Sequence, residues 1–454
     1  MMQWETLFSN KRLGSTNAYQ RDEVRGDYMR DYDRVIFSSE FRKLQNKTQV
    51  FPLPGAVFVH NRLTHSLEVA SVGRSLGKAV GEKLSEKHKD IFSKNVSDFY
   101  RFELSDVIQT ACLAHDIGNP PFGHFGEEAI RAFFSNTLKN NADFNQLTEN
   151  QINDLTKFEG NANAFRILTT LFSNSGLKLT YTTLASIIKY PSDSISGFDK
   201  SKGLISTKKS GFFDSEIDFI KAIAEELGIL PIKSQNNVFS RHPYVFLVEA
   251  ADDICYRIID LEDAFRLNVI TITEALELLL PFFKDETQEN YINNKLASIA
   301  DESQKLSLLR AMLINLLTQK CTEVFLKYEK DLLEGTLNES LIDLIDKKSI
   351  ILLKKIDSLS FKKIYNHHSV IEKELAGFHV ITGLLEEFVG ALVHSSSPKS
   401  KKVLNLIPSQ FEILENQILY QKLLSIVDYV SGMTDVFAMD LYRKLKGIQT
   451  PEFG

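Results

Sequence analysis

Cysteine is scarce in this chain of 454 residues: Cys112, Cys255 and Cys321 are the only three, and none belongs to a CxxC pair. Such spacing argues against a disulfide framework or a thiolate zinc site, so three buried thiols are expected. Long hydrophobic runs are missing too. No uninterrupted apolar stretch approaches the roughly 18 residues of a membrane span, and no membrane partner is expected. The opening residues, MMQWETLFSNKR, lack the apolar segment and small-residue cleavage site of a secretory signal, which predicts a cytoplasmic protein. Positive charge is not in excess: 53 Lys and Arg stand against 59 Asp and Glu, a net −6. An anionic ligand therefore needs a local basic pocket rather than a generally basic surface. Alternating, strand-like runs are few, and no internal repeat stands out.

What is present is helical periodicity. In RLTHSLEVASVGRSLGKAVGEKL, Leu63, Leu67 and Ala70 recur at four- and three-residue steps, and HPYVFLVEAADDICYRIIDLEDAF has the same character. The pattern predicts an all-α, predominantly helical fold with small β-hairpin elements. One short hairpin is expected in KTQVFPLPGAVFVHNR, where β-branched residues flank a Pro/Gly turn. A chain this long exceeds the usual size of one core, so a single large elaborated domain over 1–454 is expected. Its catalytic core spans about 55–270, with an insertion or long loop near 190–240, where YPSDSISGFDKSKGLISTKKSGFFDSE loses its period. A helical C-terminal subdomain, 271–454, would complete the pocket. Within it HSSSPKSKK, at 394–402, reads as a mobile basic loop.

The chemistry concentrates in HDIGNPPFGHFGE, 115–127, which sets two histidines, an aspartate and a glutamate among prolines and glycines that cannot stay helical. Four metal-ligand types follow in order: His65 on the first strong helix, His115 and Asp116 at the end of the second, and Asp252 in EAADDICY. Each alone has an ordinary explanation: a core histidine, a turn cap, an Asp252 or Asp253 paired with Arg257. Together, beside Ala114, Ile117, Ala250 and Ala251, they imply buried charge, and buried charge needs a partner. Two imidazoles and two carboxylates suit one divalent ion, Mn, Mg, Co, Fe or Ni.

These motifs, in the order RLTHS, HDIGNPPFGHFGE, FEGNA, KYP, RHP and EAADDICY, resemble the deoxyguanosine triphosphate triphosphohydrolases of the HD-domain phosphohydrolase superfamily. The resemblance runs from about Asp33 to Arg443. It implies that His65, His115, Asp116 and Asp252 ligate the metal and that His124 and Glu127 act in catalysis without ligating it. A histidine held by a carboxylate suits proton transfer near neutral pH. Helical spacing puts Asp252, Tyr256 and Asp260 on one face and turns Asp253 about 100° away toward Arg257. Tyr256 and Asp260 are thus expected to touch sugar and phosphate.

The resemblance also implies a deoxynucleoside triphosphate substrate, dGTP first, split into deoxynucleoside and tripolyphosphate. About four negative charges on a triphosphate call for Arg62, Lys189 and Lys208 or Lys209 around it. Gln49, Asn161 and Tyr190 match positions that contact sugar or base in the family. A homo-oligomer, commonly a hexamer, and a nucleotide or single-stranded DNA effector are implied as well. Two alternatives share the HD signature: another nucleotidase or phosphodiesterase, and a nucleotide-sensing regulator with little turnover.

Overall fold

Some helices begin at a side-chain cap, and proline and glycine end one of those that carry the site. The computed structural model describes residues 1–14, 25–52, 59–139, 142–170, 176–199, 203–232, 235–283 and 286–449. Asn61 accepts the Thr64 amide while Thr64 Oγ1 accepts the Asn61 amide, and this reciprocal cap starts α1 (Arg62–Lys87) just before His65. A π-helical turn leads into α2 (Leu104–Ala114), which stops at His115 because Gly118, Pro120 and Pro121 cannot continue it. After that loop the chain restarts as α3 (His124–Lys139), followed by α4 (Gly160–Thr169), α5 (Tyr181–Ile187) and α6 (Ile217–Glu226). Pro243 in the first turn opens α7 (Pro243–Arg266), and α8 (Glu302–Lys327) packs beside it. The C-terminal part holds α9 (His368–Val393), α10 (Pro398–Leu404), α11 (Leu419–Ser431) and α12 (Asp435–Leu445).

Two apolar cores result. The larger gathers α1, α2, α7 and α8 around residues such as Leu76, Ile108, Leu247 and Leu313. The smaller gathers α3, α9 and α11 around Ile130, Leu384 and Val427. Close approach in the larger core depends on glycine: a Cβ at Gly73 would fall 2.4 Å from Cys112 Sγ, and one at Gly81 would fall 1.9 Å from the Tyr100 carbonyl oxygen. With Gly77 between them, these residues leave a stripe of bare backbone on α1 against which α2 and its preceding turn lie. All three cysteines are buried thiols.

Among the described residues one helix, α9, is long and apolar enough to cross a membrane by length and composition. Half of that stretch is buried inside the protein, where Ile381, Leu384, Leu385 and Phe388 belong to the smaller core, while Glu387 pairs with Lys399 and Lys446.

Three local expectations change. The hairpin flanks meet in a single bridge between Thr48 and Asn61, and the turn at 53–58 lies outside the described residues. Side chains replace a partner strand, with Asp435 accepting the Thr48 amide and Lys373 donating to the Val50 carbonyl. Residues 190–240 include α6, and their serines and aspartates are internal hydrogen-bonding groups: Ser194 donates to Asp154, and Asp193 caps the Ser196 amide. The basic segment at 394–402 contains the start of α10, because Ser397 caps it and Pro398 occupies its first turn.

Candidate active site

The junction of the two cores holds a cavity of about 360 Å³, within the range of small-molecule sites. On its wall from the larger core, His65 lies in the first turn of α1, His115 and Asp116 follow α2, and Asp252 sits midway along α7. His65 Nε2 is 3.0 Å from Asp252 Oδ1, and His115 Nε2 is 3.6 Å from the same oxygen and 3.7 Å from Asp116 Oδ1. One donor atom each from His65, His115 and Asp116 lies within 4.8 Å of the others. Separations of this size are what ligands about 2.1 Å from a shared centre require.

Electrostatics agree with that spacing. Burial would lower the His115 imidazole, but Asp116 and Asp252 more than offset it and hold it at about 9. Burial would raise Asp252, yet His115 and His65 drive it well below the usual carboxylate range. Asp116 is likewise lowered, against its burial, by Arg62, His115 and His65. The cluster attracts positive charge, supplied by protons where no cation is bound. His115 Nδ1 is 2.6 Å from the Cys112 carbonyl, which fixes the proton on that nitrogen and leaves Nε2 to the cluster. The His/Asp cluster thus fits a metal site. Asp253 points away toward Arg257, 3.5 Å distant, and burial first of all pushes it up to about 7.

His124 starts α3, its side chain 80% exposed, with Nδ1 3.1 Å from Glu127 Oε2. Glu127 is buried and also takes the Gly160 amide at 2.8 Å and Arg131 at 3.3 Å. Burial would raise Glu127, but His124, Lys209 and Arg131 leave it lowered and ionised. The loop aiming His124 is bent by Phe122 and Gly123, both left-handed at φ 62°. For phenylalanine that conformation costs roughly 1–2 kcal/mol, which surrounding contacts must offset.

Of the other anticipated residues, Gln49, Arg62, Asn161, Lys189, Tyr190, Lys209 and Tyr256 line the cavity. Two polar atoms there are buried without a hydrogen-bond partner, Gln49 Oε1 and Arg62 Nε. The cations rest on carboxylates: Arg62 on Asp116 at 2.7 Å, Lys189 on Glu249 at 3.3 Å and Lys209 on Glu159 at 2.7 Å. Asn161 donates to Glu159, and Tyr190 packs under Lys189 and Arg241.

Two residues lie elsewhere. Lys208 is exposed and closes the turn Ile205–Thr207, because consecutive residues of that irregular segment face opposite ways. Asp260 is buried beyond the cavity, where it accepts the Tyr365 hydroxyl at 2.6 Å. Eight residues carry α7 about 12 Å onward, past the cavity edge. Tyr365 intervenes there, stacked on Tyr256 with centroids 5.9 Å apart. Sequence reasoning missed Tyr365, Lys373 and Glu159 as lining residues. Glu159 had a signal in FEGNA; the other two had none.

The HD domain family matches residues 62–196, and the phosphohydrolase-associated domain family matches 348–444. A Synechocystis deoxyguanosinetriphosphate triphosphohydrolase-like protein is 37% identical, over 98% of this chain and 100% of its own. A like-named Listeria innocua protein is 34% identical over 98% of this chain and all of its own. A Serratia proteamaculans deoxyguanosinetriphosphate triphosphohydrolase is 30% identical, over 94% of this chain and 95% of its own. With relatives of this identity aligned from end to end, the chain belongs to the deoxyguanosinetriphosphate triphosphohydrolase family of HD-domain phosphohydrolases.

Proposed function

We propose that this protein hydrolyses deoxynucleoside triphosphates, dGTP foremost, at the α-phosphorus, releasing deoxynucleoside and tripolyphosphate. The observation that carries the reading is one cavity with a four-residue His/Asp cluster on one wall and an exposed histidine backed by a buried carboxylate on another. His65, His115, Asp116 and Asp252 would hold the divalent ion. When bound, the ion neutralises charge on an α-phosphate oxygen.

The chain's own groups divide the rest. His124, with Nδ1 engaged by Glu127, keeps Nε2 for moving a proton at the reacting centre. Arg62, Lys189 and Lys209 hold the β- and γ-phosphates, and their carboxylate partners fix their direction before substrate arrives. Gln49 Oε1 accepts the 3′-hydroxyl, satisfying a buried acceptor. Asn161 and Tyr190 contact the nucleoside, and Tyr256 forms the wall beneath the ribose. A sensor without turnover has no need of the His124–Glu127 pair. The reading includes a cytoplasmic homo-oligomer, a hexamer by resemblance, answering to nucleotide or single-stranded DNA, and a division into an HD core and a C-terminal subdomain.

Incubation with each of the four deoxynucleoside triphosphates and Mn²⁺, followed by anion-exchange chromatography, tests it. Tripolyphosphate with free deoxynucleoside supports the proposal. Single phosphate or a linear mononucleotide overturns it.

A further inference from the structure

Three donors from two separate segments converge on one carboxylate of the C-terminal part. Asp435, buried at the start of α12, accepts the Thr48 amide at 3.0 Å and the Thr48 hydroxyl at 2.5 Å through Oδ2. Through Oδ1 it accepts the Phe122 amide at 3.0 Å. Thr48 immediately precedes Gln49, whose unpartnered oxygen lines the cavity. Phe122 lies two residues before His124, in the left-handed turn that aims it. Asp435 itself does not line the cavity.

A second link runs parallel to the first. Lys47 Nζ donates to the Asn119 carbonyl at 2.5 Å and to the Ser431 carbonyl at 3.0 Å, joining the same two segments to the end of α11. The Phe122 ring rests where a Cβ on Gly377 of α9 would stand, 2.3 Å from its Cγ. The loop before His124 is therefore held at residue 119 by the Lys47 ammonium, at 122 by the Asp435 carboxylate, and against α9 by its own ring.

We propose that Asp435 is a positioning residue that sets the gap between Gln49, at the nucleoside end, and His124, at the scissile end. Only an acceptor on both oxygens satisfies all three donors. Asparagine at this place turns an NH₂ onto a donor and frees one segment. A residue outside the HD domain thereby registers the two ends of the substrate site. This inference rests on the proposed phosphohydrolase reading for its kinetic consequence but not for its structural one.

The test compares Asp435→Asn with the wild-type full chain in two measurements. Hydrogen exchange followed by mass spectrometry is expected to quicken at 47–49 and 119–124 together, with α1 and α7 unchanged. With dGTP, kcat is expected to fall at least ~10-fold, as displacement of catalytic groups produces, and the preference for dGTP over its 3′-deoxy analogue in kcat/KM is expected to shrink. A change in folded fraction cannot move that ratio, so it separates positioning from instability. Thr48→Val, which removes only the hydroxyl donor, is expected to move both measurements the same way by less, and carries the test if Asp435→Asn fails to fold. Wild-type exchange at either segment overturns the tether. Loosened segments with unchanged kcat and selectivity overturn the positioning role. Absence of hydrolysis of all four deoxynucleoside triphosphates by the wild type sinks the proposed function, and the tether is then judged on exchange alone.

Discussion

At the scale of the residue, the candidate site separates holding from proton transfer. His124 is exposed and pairs with Glu127, which is not one of the proposed ligands, so His124→Ala is expected to bind Mn²⁺ as the wild type does by calorimetry while kcat falls ~10²- to 10⁴-fold. Neighbouring aspartates give a sharper contrast. Asp252 is ionised by its histidine partners, whereas burial leaves Asp253 near half-protonated at neutral pH. Asp252→Asn should weaken Mn²⁺ binding by more than the roughly 10- to 100-fold typical of losing an outer support. Asp253→Asn, which mimics the protonated acid, should leave the affinity close to wild type; equal losses in the two variants would mean that the ligand assignment is wrong. The preference for Asp252 over Asp253 came from the family resemblance, and helical phase agreed with it. What Asp260 touches was not legible in the sequence, because that depends on Tyr365, a residue 105 positions away.

At the scale of the element, helix spacing decides whether His65 and His115 meet, with ring centroids 5.5 Å apart. Gly81 faces a backbone carbonyl that no rotamer change can move, so Gly81→Ala should cost about 3 kcal/mol or more in denaturant unfolding. Gly390 on α9 has open space around its absent Cβ, and Gly390→Ala should instead stabilise by about 0.5–1 kcal/mol. The segment entering α1 adds a pH dependence. His60 is buried, with Nδ1 2.8 Å from Asp263 and Nε2 3.2 Å from Glu68. Burial lowers its pKa, but the two carboxylates prevail and raise it to about 9. Because the folded value exceeds the unfolded one of about 6.5, the contribution is complete below pH 6.5 and lost as pH rises through 9. On the order of 2–3 kcal/mol is at stake. Unfolding midpoints of wild type and His60→Gln should differ most near pH 6 and converge above pH 9.

At the scale of the whole molecule, the cavity exists because two cores abut. The His/Asp cluster stands on one core and the His124 helix on the other, and links such as Asp435 to Thr48 and Arg166 to Asp428 cross between them. Arg62 lies 2.7 Å from Asp116, so the chain itself supplies part of the positive charge at the cluster. A chelator should abolish turnover yet leave the helical circular dichroism unchanged. Saturating Mn²⁺ at 100 times its Kd should raise Tm by about 3 °C, from about 2.7 kcal/mol of binding linkage spread over the unfolding entropy of a chain this size.

Sequence alone determined the helical class and the break after α2, since periodicity and proline breaks are local properties, and its resemblance to a family brought His65, His115, Asp116 and Asp252 forward as the candidate set. It could not place Tyr365 or Lys373 at the cavity, separate Lys208 from Lys209, or reveal that Asp435 ties Thr48 to Phe122. Those outcomes depend on which surfaces pack together across hundreds of residues, and no local periodicity encodes a contact between a carboxylate near one end of the chain and an amide near the other. Tertiary packing decided them, because a buried donor takes whichever acceptor the second core brings within reach.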